Sequence, residues 1–172
     1  PLPQLLGALA VHDLAAVMAD VLASEYVKVK AFNHRLGDCG TTFFAAQKHA
    51  QLKKGFPRSL EGAPLLMPSP GTALRRALDA WLAAGGVTPQ ISGEFDDSAL
   101  MKAFGARGFG VFPAPRVLED EIRAQYGVQV IGRAEEVREV FYAITVERRL
   151  RHPAVVAVAE TARDAIFGPR AA

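Results

Sequence analysis

The hydrophobic positions of this chain change their spacing several times between Pro1 and Ala172, and each change marks an element. Leu2, Leu5, Leu6 and Leu9 recur at helical spacing and predict an amphipathic helix over 2–11. Residues 14–19 are a short unbroken apolar run, the pattern of a strand buried on both faces between parallel neighbours. Over 27–32 lysines alternate with Val27, Val29 and Ala31, a half-exposed strand, and 39–46 is a further strand rich in Thr and Phe. Residues 47–53 look helical, and 64–67 form a short strand.

The stretch SPGTALRRALDAWLAAGG then spells out a helix with both ends marked. Ser69 or Thr72 caps its start and Gly85-Gly86 stops it. Leu74, Leu78, Trp81 and Leu82 form one stripe, while Arg75, Arg76 and Asp79 point elsewhere. Each large side chain buried on that stripe contributes ~1.5–3 kcal/mol, so the stripe faces a core or a partner subunit.

A strand over 89–94 comes next, then a helix from Ser98 to Phe104 capped by Asp96, with Leu100, Met101 and Phe104 facing inward. The following run GARGFG resembles half of a phosphate loop, but its glycines come after a helix and before a strand, the reverse of what phosphate binding needs. Gly105 or Gly108 therefore reads as a helix stop in the left-handed conformation. A strand over 109–112 is closed by prolines; a short helix over 117–124, strands over 128–131 and 139–146, and a final helix from Pro153 complete the pattern. Such strand–helix repetition calls for parallel strands with right-handed crossovers.

Two long strands, 27–36 and 138–147, bracket the central block. They predict two lobes: 1–37 with 138–172, and 38–137. The first lobe lacks an opening strand, helix and strand, and the chain starts at Pro1 without Met or cap, so it reads as a piece of something longer.

Composition narrows the class. Half the residues are hydrophobic and 22% are charged, which is globular rather than disordered. A net charge of +2 is too small to argue for nucleic-acid binding by this chain, and Arg148, Arg149 and Arg151, interrupted by Glu147 and Leu150, read as a solvated face. A single cysteine excludes an internal disulfide and fits a reducing cytoplasm. The apolar opening lacks a basic start and is interrupted by His12-Asp13, so it is not a signal peptide; no apolar run reaches the ~18 residues that span a bilayer. Cys39 with His34 or His49 carries no signature of a cysteine enzyme and reads as a buried small hydrophobe. The histidines form no transition-metal pattern, His152 is a helix-entry residue, and Met67 and Met101 lie on apolar faces.

The segment PLLMPSPGTALRRALDAWLAAGG, followed by GEFDDSALMKAFGARGFGVFPAP, resembles the effector-binding domain of LysR-type transcriptional regulators. Within that family, GEFDD, ALMKAFGA and the closing RRLRHPAV resemble the member that activates sodium/proton antiporter genes. The resemblance runs from about Leu5 to Phe167. It implies an α/β fold of periplasmic-binding-protein type 2, two lobes with mixed, mostly parallel sheets joined by two crossover strands, and an effector held between them. It implies no enzyme and no cofactor, Na⁺ or Li⁺ as a candidate effector, a homodimer or homotetramer, and a cytoplasmic protein without membrane contact. DNA recognition is expected from a winged helix-turn-helix preceding residue 1.

On this resemblance the effector side of the second lobe includes Ser69, Gly71 and Thr72, whose free N–H groups and hydroxyls suit an anion or polar ligand. The alternative is that Ser69 and Thr72 only cap the helix. Phe112 and Pro113 are expected at the same cleft, with core packing as the alternative. Glu94, Asp96 and Asp97 form the one dense carboxylate cluster; a hard cation takes oxygen ligands, yet Asp96 and Asp97 equally suit a helix start. Leu74, Leu78 and Trp81 are the candidate dimer interface, as in the antiparallel dimers of the family. Two rival readings remain: a solute-binding protein of the same fold, and a small α/β enzyme using a cleft carboxylate.

Overall fold

The computed structural model describes residues 17–19, 32–145, and positions 156, 157, 160, 161, 163, 164 and 167, all seven of them helical. The helix expected over 2–11, residues 27–31 of the strand expected over 27–32, and the helix entry at Pro153 lie outside the described residues. The chain divides into two compact units, Pro1–Asp38 with Val140–Ala172, and Cys39–Glu139. Among the described residues no helix is long and apolar enough to cross a membrane.

In the first unit, strand β1 (Val17–Ala19) pairs antiparallel with the end of the last strand, Val17 opposite Ile144 and Ala19 opposite Tyr142. The parallel neighbour expected for the run 14–19 is thus corrected on this side. An unbroken apolar run does not by itself report which way the neighbouring strand runs.

Strand β2 (Phe32–Ala45) is a single 14-residue strand where two were expected. Gly37 and Asp38 look like a break, but the ring of Phe167 lies where a Cβ of residue 37 would stand, so glycine here serves close packing. Asp38 is ion-paired with Arg35.

The second unit carries strands of two sheets, one of two strands and one shared with the first unit. Strand β3 (Pro64–Pro68) pairs parallel with β4 (Gln90–Phe95), Pro64 opposite Gln90 and Pro68 opposite Phe95. On its other side β3 meets Val111, with Leu66 N donating to Val111 O at 2.8 Å and Val111 N to Pro64 O at 2.8 Å. Strand β5 (Phe112–Pro115) runs antiparallel to β2, Phe44 opposite Phe112 and Thr41 opposite Pro115. Strand β6 (Gln129–Thr145) flanks β2, and the Thr41 hydroxyl donates to Val137 O at 2.8 Å.

Successive side chains along these strands feed two cores, as the pleat dictates. Phe43, Leu65, Met67, Val111, Ile131 and Val137 pack on one face with Leu60, Leu78 and Leu82. Phe44, Leu66, Phe112, Ala114 and Val128 pack on the other with Met101 and Ile122. The first face is covered by α1 (Ala73–Ala84) and 3₁₀ turns at Gln47–Lys53 and Arg58–Leu60. The second is covered by α2 (Ser98–Ala106) and α3 (Glu119–Tyr126), the latter entered through a 3₁₀ turn at Arg116–Leu118.

Several boundaries differ from expectation. Asp97, not Asp96, caps α2, its carboxylate accepting from Ala99 N at 2.7 Å. Met101 and Gly105 are the pair that turns inward, one helical turn apart, which leaves Leu100 50% and Phe104 38% exposed. Gly105 belongs to the helix, and Gly108, with φ of +83°, is the left-handed residue that follows it. β5 starts at Phe112 and includes both prolines; they sit two residues apart, so their missing donors fall on one edge of the strand. β6 is one strand of 17 residues across Gly132, where a Cβ would overlap the ring of Phe56.

Candidate functional site

The loop Pro68 to Thr72 leads from β3 into α1. Its conformation is fixed from several sides. Gly71 has φ of +91°, a region that favours glycine. Thr72 caps α1, its hydroxyl oxygen accepting from Arg75 N at 3.1 Å and its proton going to Ser69 O at 3.2 Å. Ser69 N donates to Phe95 O at 2.9 Å, which ties the loop to β4.

Two arginines of the first helical turn hold the loop's carbonyls. Arg75 donates to Pro68 O at 3.0 Å, and Arg76 to Gly71 O at 2.6 Å. Arg75 also donates to Glu94 at 2.6 Å and to both oxygens of Asp79 at 3.0 Å. The Glu94 hydrogen bond raises the Arg75 guanidinium further above its already high value, so it is cationic at every working pH. In the sequence Arg75 lies off the apolar stripe of α1, with nothing local to tie it to the loop. One signal was available: a basic side chain in the first turn opposes the helix dipole and needs acidic partners.

The structure therefore places Ser69, Gly71, Thr72 and Glu94 in one neighbourhood, joined by Arg75. The N–H groups of Ala73 and Leu74 have no acceptor within the helix. The Ser69 hydroxyl makes no hydrogen bond among the described residues. These groups offer donors and one hydroxyl to a polar ligand.

The carboxylates are already engaged: Glu94 by Arg75, and Asp97 by the start of α2, while Asp96 stands exposed between them. No group of three or more His, Cys, Asp or Glu that could hold a metal ion is found among the described residues. Phe112 and Pro113 are buried, and Phe112 stacks on Phe44 with ring centroids 5.5 Å apart. Leu78 is fully buried, and Leu74 and Trp81 pack against the same core, so only those two keep surface for a second subunit.

A second charged node was not anticipated. Glu119, 7% exposed at the start of α3, receives two hydrogen bonds from Arg133 at 3.0 and 2.7 Å and one from Thr42 at 3.2 Å. Burial alone would raise the Glu119 carboxyl; the Arg133 guanidinium and the Thr42 hydroxyl outweigh it and hold the group below the usual carboxylate range. Cys39 is buried, and burial pushes its thiol up, away from the reactive thiolate.

Residues 4–166 match the LysR substrate binding domain. The chain belongs to this family. It is 38% identical over 165 residues to the transcriptional activator protein NhaR of Escherichia coli (strain K12), an alignment covering 96% of this chain and 54% of that protein. NhaR of Shigella flexneri gives the same values. The chain thus spans about half the length of the curated relatives it matches.

Among solved structures, the effector domain of the transcriptional regulator AmpR of Pseudomonas aeruginosa superposes with a TM-score of 0.64 at 21% identity, covering 95% of this chain and 77% of that one. The effector-binding domain of QuiR in complex with shikimate gives 0.59 at 18% identity, covering 96% and 74%. At these identities the likeness establishes the α/β fold of LysR effector domains. The match makes the chain a LysR substrate binding domain, and the curated relatives that share it are transcriptional activators, which speaks against the reading as a small α/β enzyme.

Proposed function

We propose that this chain is the effector-sensing and oligomerising part of a cytoplasmic LysR-type activator of sodium/proton antiporter genes, with Na⁺ or Li⁺ as its signal. The observation that carries the reading is the 38% identity to the activator NhaR over 96% of the chain. DNA is contacted through a winged helix-turn-helix outside these residues, and the effector is contacted by the loop Ser69, Gly71 and Thr72.

The chemistry of that loop refines the proposal. Donor N–H groups at the start of α1 suit an anionic or polar ligand. A sodium ion requires oxygens, and using Glu94 would mean displacing Arg75. Within the loop, the Ser69 hydroxyl is an oxygen that makes no hydrogen bond among the described residues. Binding acts as a switch only through unequal affinity for two conformations.

A reporter gene driven by the antiporter promoter, in cells carrying the complete regulator gene, tests the reading. Expression is expected to rise with added Na⁺ and not with K⁺ at equal ionic strength. Expression independent of the cation overturns it.

A further inference from the structure

Within the second unit, a groove of about 620 Å³ lies between the C-terminal half of α1 and β6. Trp81, Leu82, Val87, Val137 and Pro57 form its apolar walls, and Glu136 is its one charged lining residue. The volume is within the range of small-molecule sites, ~300–1,000 Å³, which are mainly apolar with a few placed polar groups.

Three features of the groove favour positive charge. Glu136 is exposed and has no ion-pair partner among the described residues. Ala84 and Gly85, also at the groove, end α1, and the last turn of that helix carries no basic residue to offset the negative end of its dipole. Trp81, fixed from within by stacking on Phe43 and Phe56 at 5.5 and 5.8 Å, lines the groove with an indole surface that attracts cations.

Beyond the sodium reading and independent of it, we propose that this groove binds a small organic cation, an ammonium group carried on an apolar or aromatic body. The body fills the space between Trp81, Val87 and Val137, and the ammonium meets Glu136 and the carbonyl end of α1. A bare alkali ion does not fit this description, because the walls offer it no oxygen cage.

Trp81 is the only tryptophan of the chain, so its emission reports on the groove directly. The 172-residue chain is titrated with benzylammonium chloride at constant ionic strength, and with benzyl alcohol as the neutral counterpart. A saturable change in emission is expected with benzylammonium, with binding about two- to fivefold weaker for the alcohol. Glu136→Gln, on the surface, weakens benzylammonium by about two- to fivefold. Ala80→Leu fills the groove from an exposed helical position and abolishes the response.

No saturable response, equal binding of the alcohol, or unchanged binding by Glu136→Gln overturns the proposal. An emission change that follows protein concentration alone identifies a second copy of the chain as the occupant and overturns it as well. If Ala80→Leu fails to fold, Glu136→Gln against the wild type decides.

Discussion

Arg75 donates to Glu94 at 2.6 Å, joining the first turn of α1 to the end of β4 across the mouth of the 68–72 loop. Arg75 keeps only 14% of its side-chain surface exposed, and the same guanidinium holds Pro68 O and Asp79. Arg75→Ala is expected to destabilise the chain by roughly 1–3 kcal/mol, since it leaves a partly buried carbonyl and two carboxylates without their shared donor. Arg75→Lys restores little of this, because one ammonium cannot reproduce the planar fork. Glu94→Gln costs less, as Glu94 is 42% exposed. Urea denaturation of the three variants ranks them.

Thr72 and Asp97 cap α1 and α2 through one hydrogen bond each. Thr72→Ala and Asp97→Ala are each expected to cost about 1 kcal/mol, while Thr72→Ser retains most of the stability. Asp96→Ala, which removes no cap, leaves the melting temperature unchanged within about 1 °C. Circular-dichroism melts of the four variants check both the effect and the assignment of the cap.

Glu119 makes stability depend on pH. Its folded value lies below the usual one, so the stability it contributes is present above about pH 4.3 and is lost as pH falls through the folded value. Glu119→Gln flattens this acid limb, and Arg133→Met leaves the carboxylate buried without its partner, lowering stability at neutral pH. Denaturant midpoints measured from pH 7 down to pH 3 show both effects.

Gly105 sets two principles against each other. In a helix Ala is favoured over Gly by about 1 kcal/mol. Here the Cβ would overlap the ring of Phe112, which is fully buried and stacked on Phe44. Overpacking of that kind costs about 1–3 kcal/mol, so Gly105→Ala is expected to destabilise the chain. A rise in melting temperature would contradict the packing described.

These contacts also explain what could be read in advance. α1 was legible at both ends because its signals are local: Thr72 at the cap, and Gly86, with φ of +61°, at the stop. The continuity of β2 and β6 was not, because glycines that look like breaks at 37 and 132 are accommodated by Phe167 and Phe56, residues far away in the chain. Leu100 and Phe104 have the spacing of an inward pair, yet Met101 and Gly105 have the same spacing, and the close approach of Phe112 decides between them. The loop at Ser69–Thr72 was visible as a helix start. Its anchoring by Arg75 to Glu94, 19 positions on, required the fold that brings β4 beside β3.

The most direct test of effector sensing is the melting temperature of the chain in Na⁺ against K⁺ at matched ionic strength, for wild type and Ser69→Ala. A ligand bound by the native state stabilises by mass action, about 2.7 kcal/mol at a hundred times its Kd. The expected result is a shift in Na⁺ that grows with concentration in the wild type and shrinks in Ser69→Ala. Superimposable melts in the two salts would contradict direct sodium sensing by this chain.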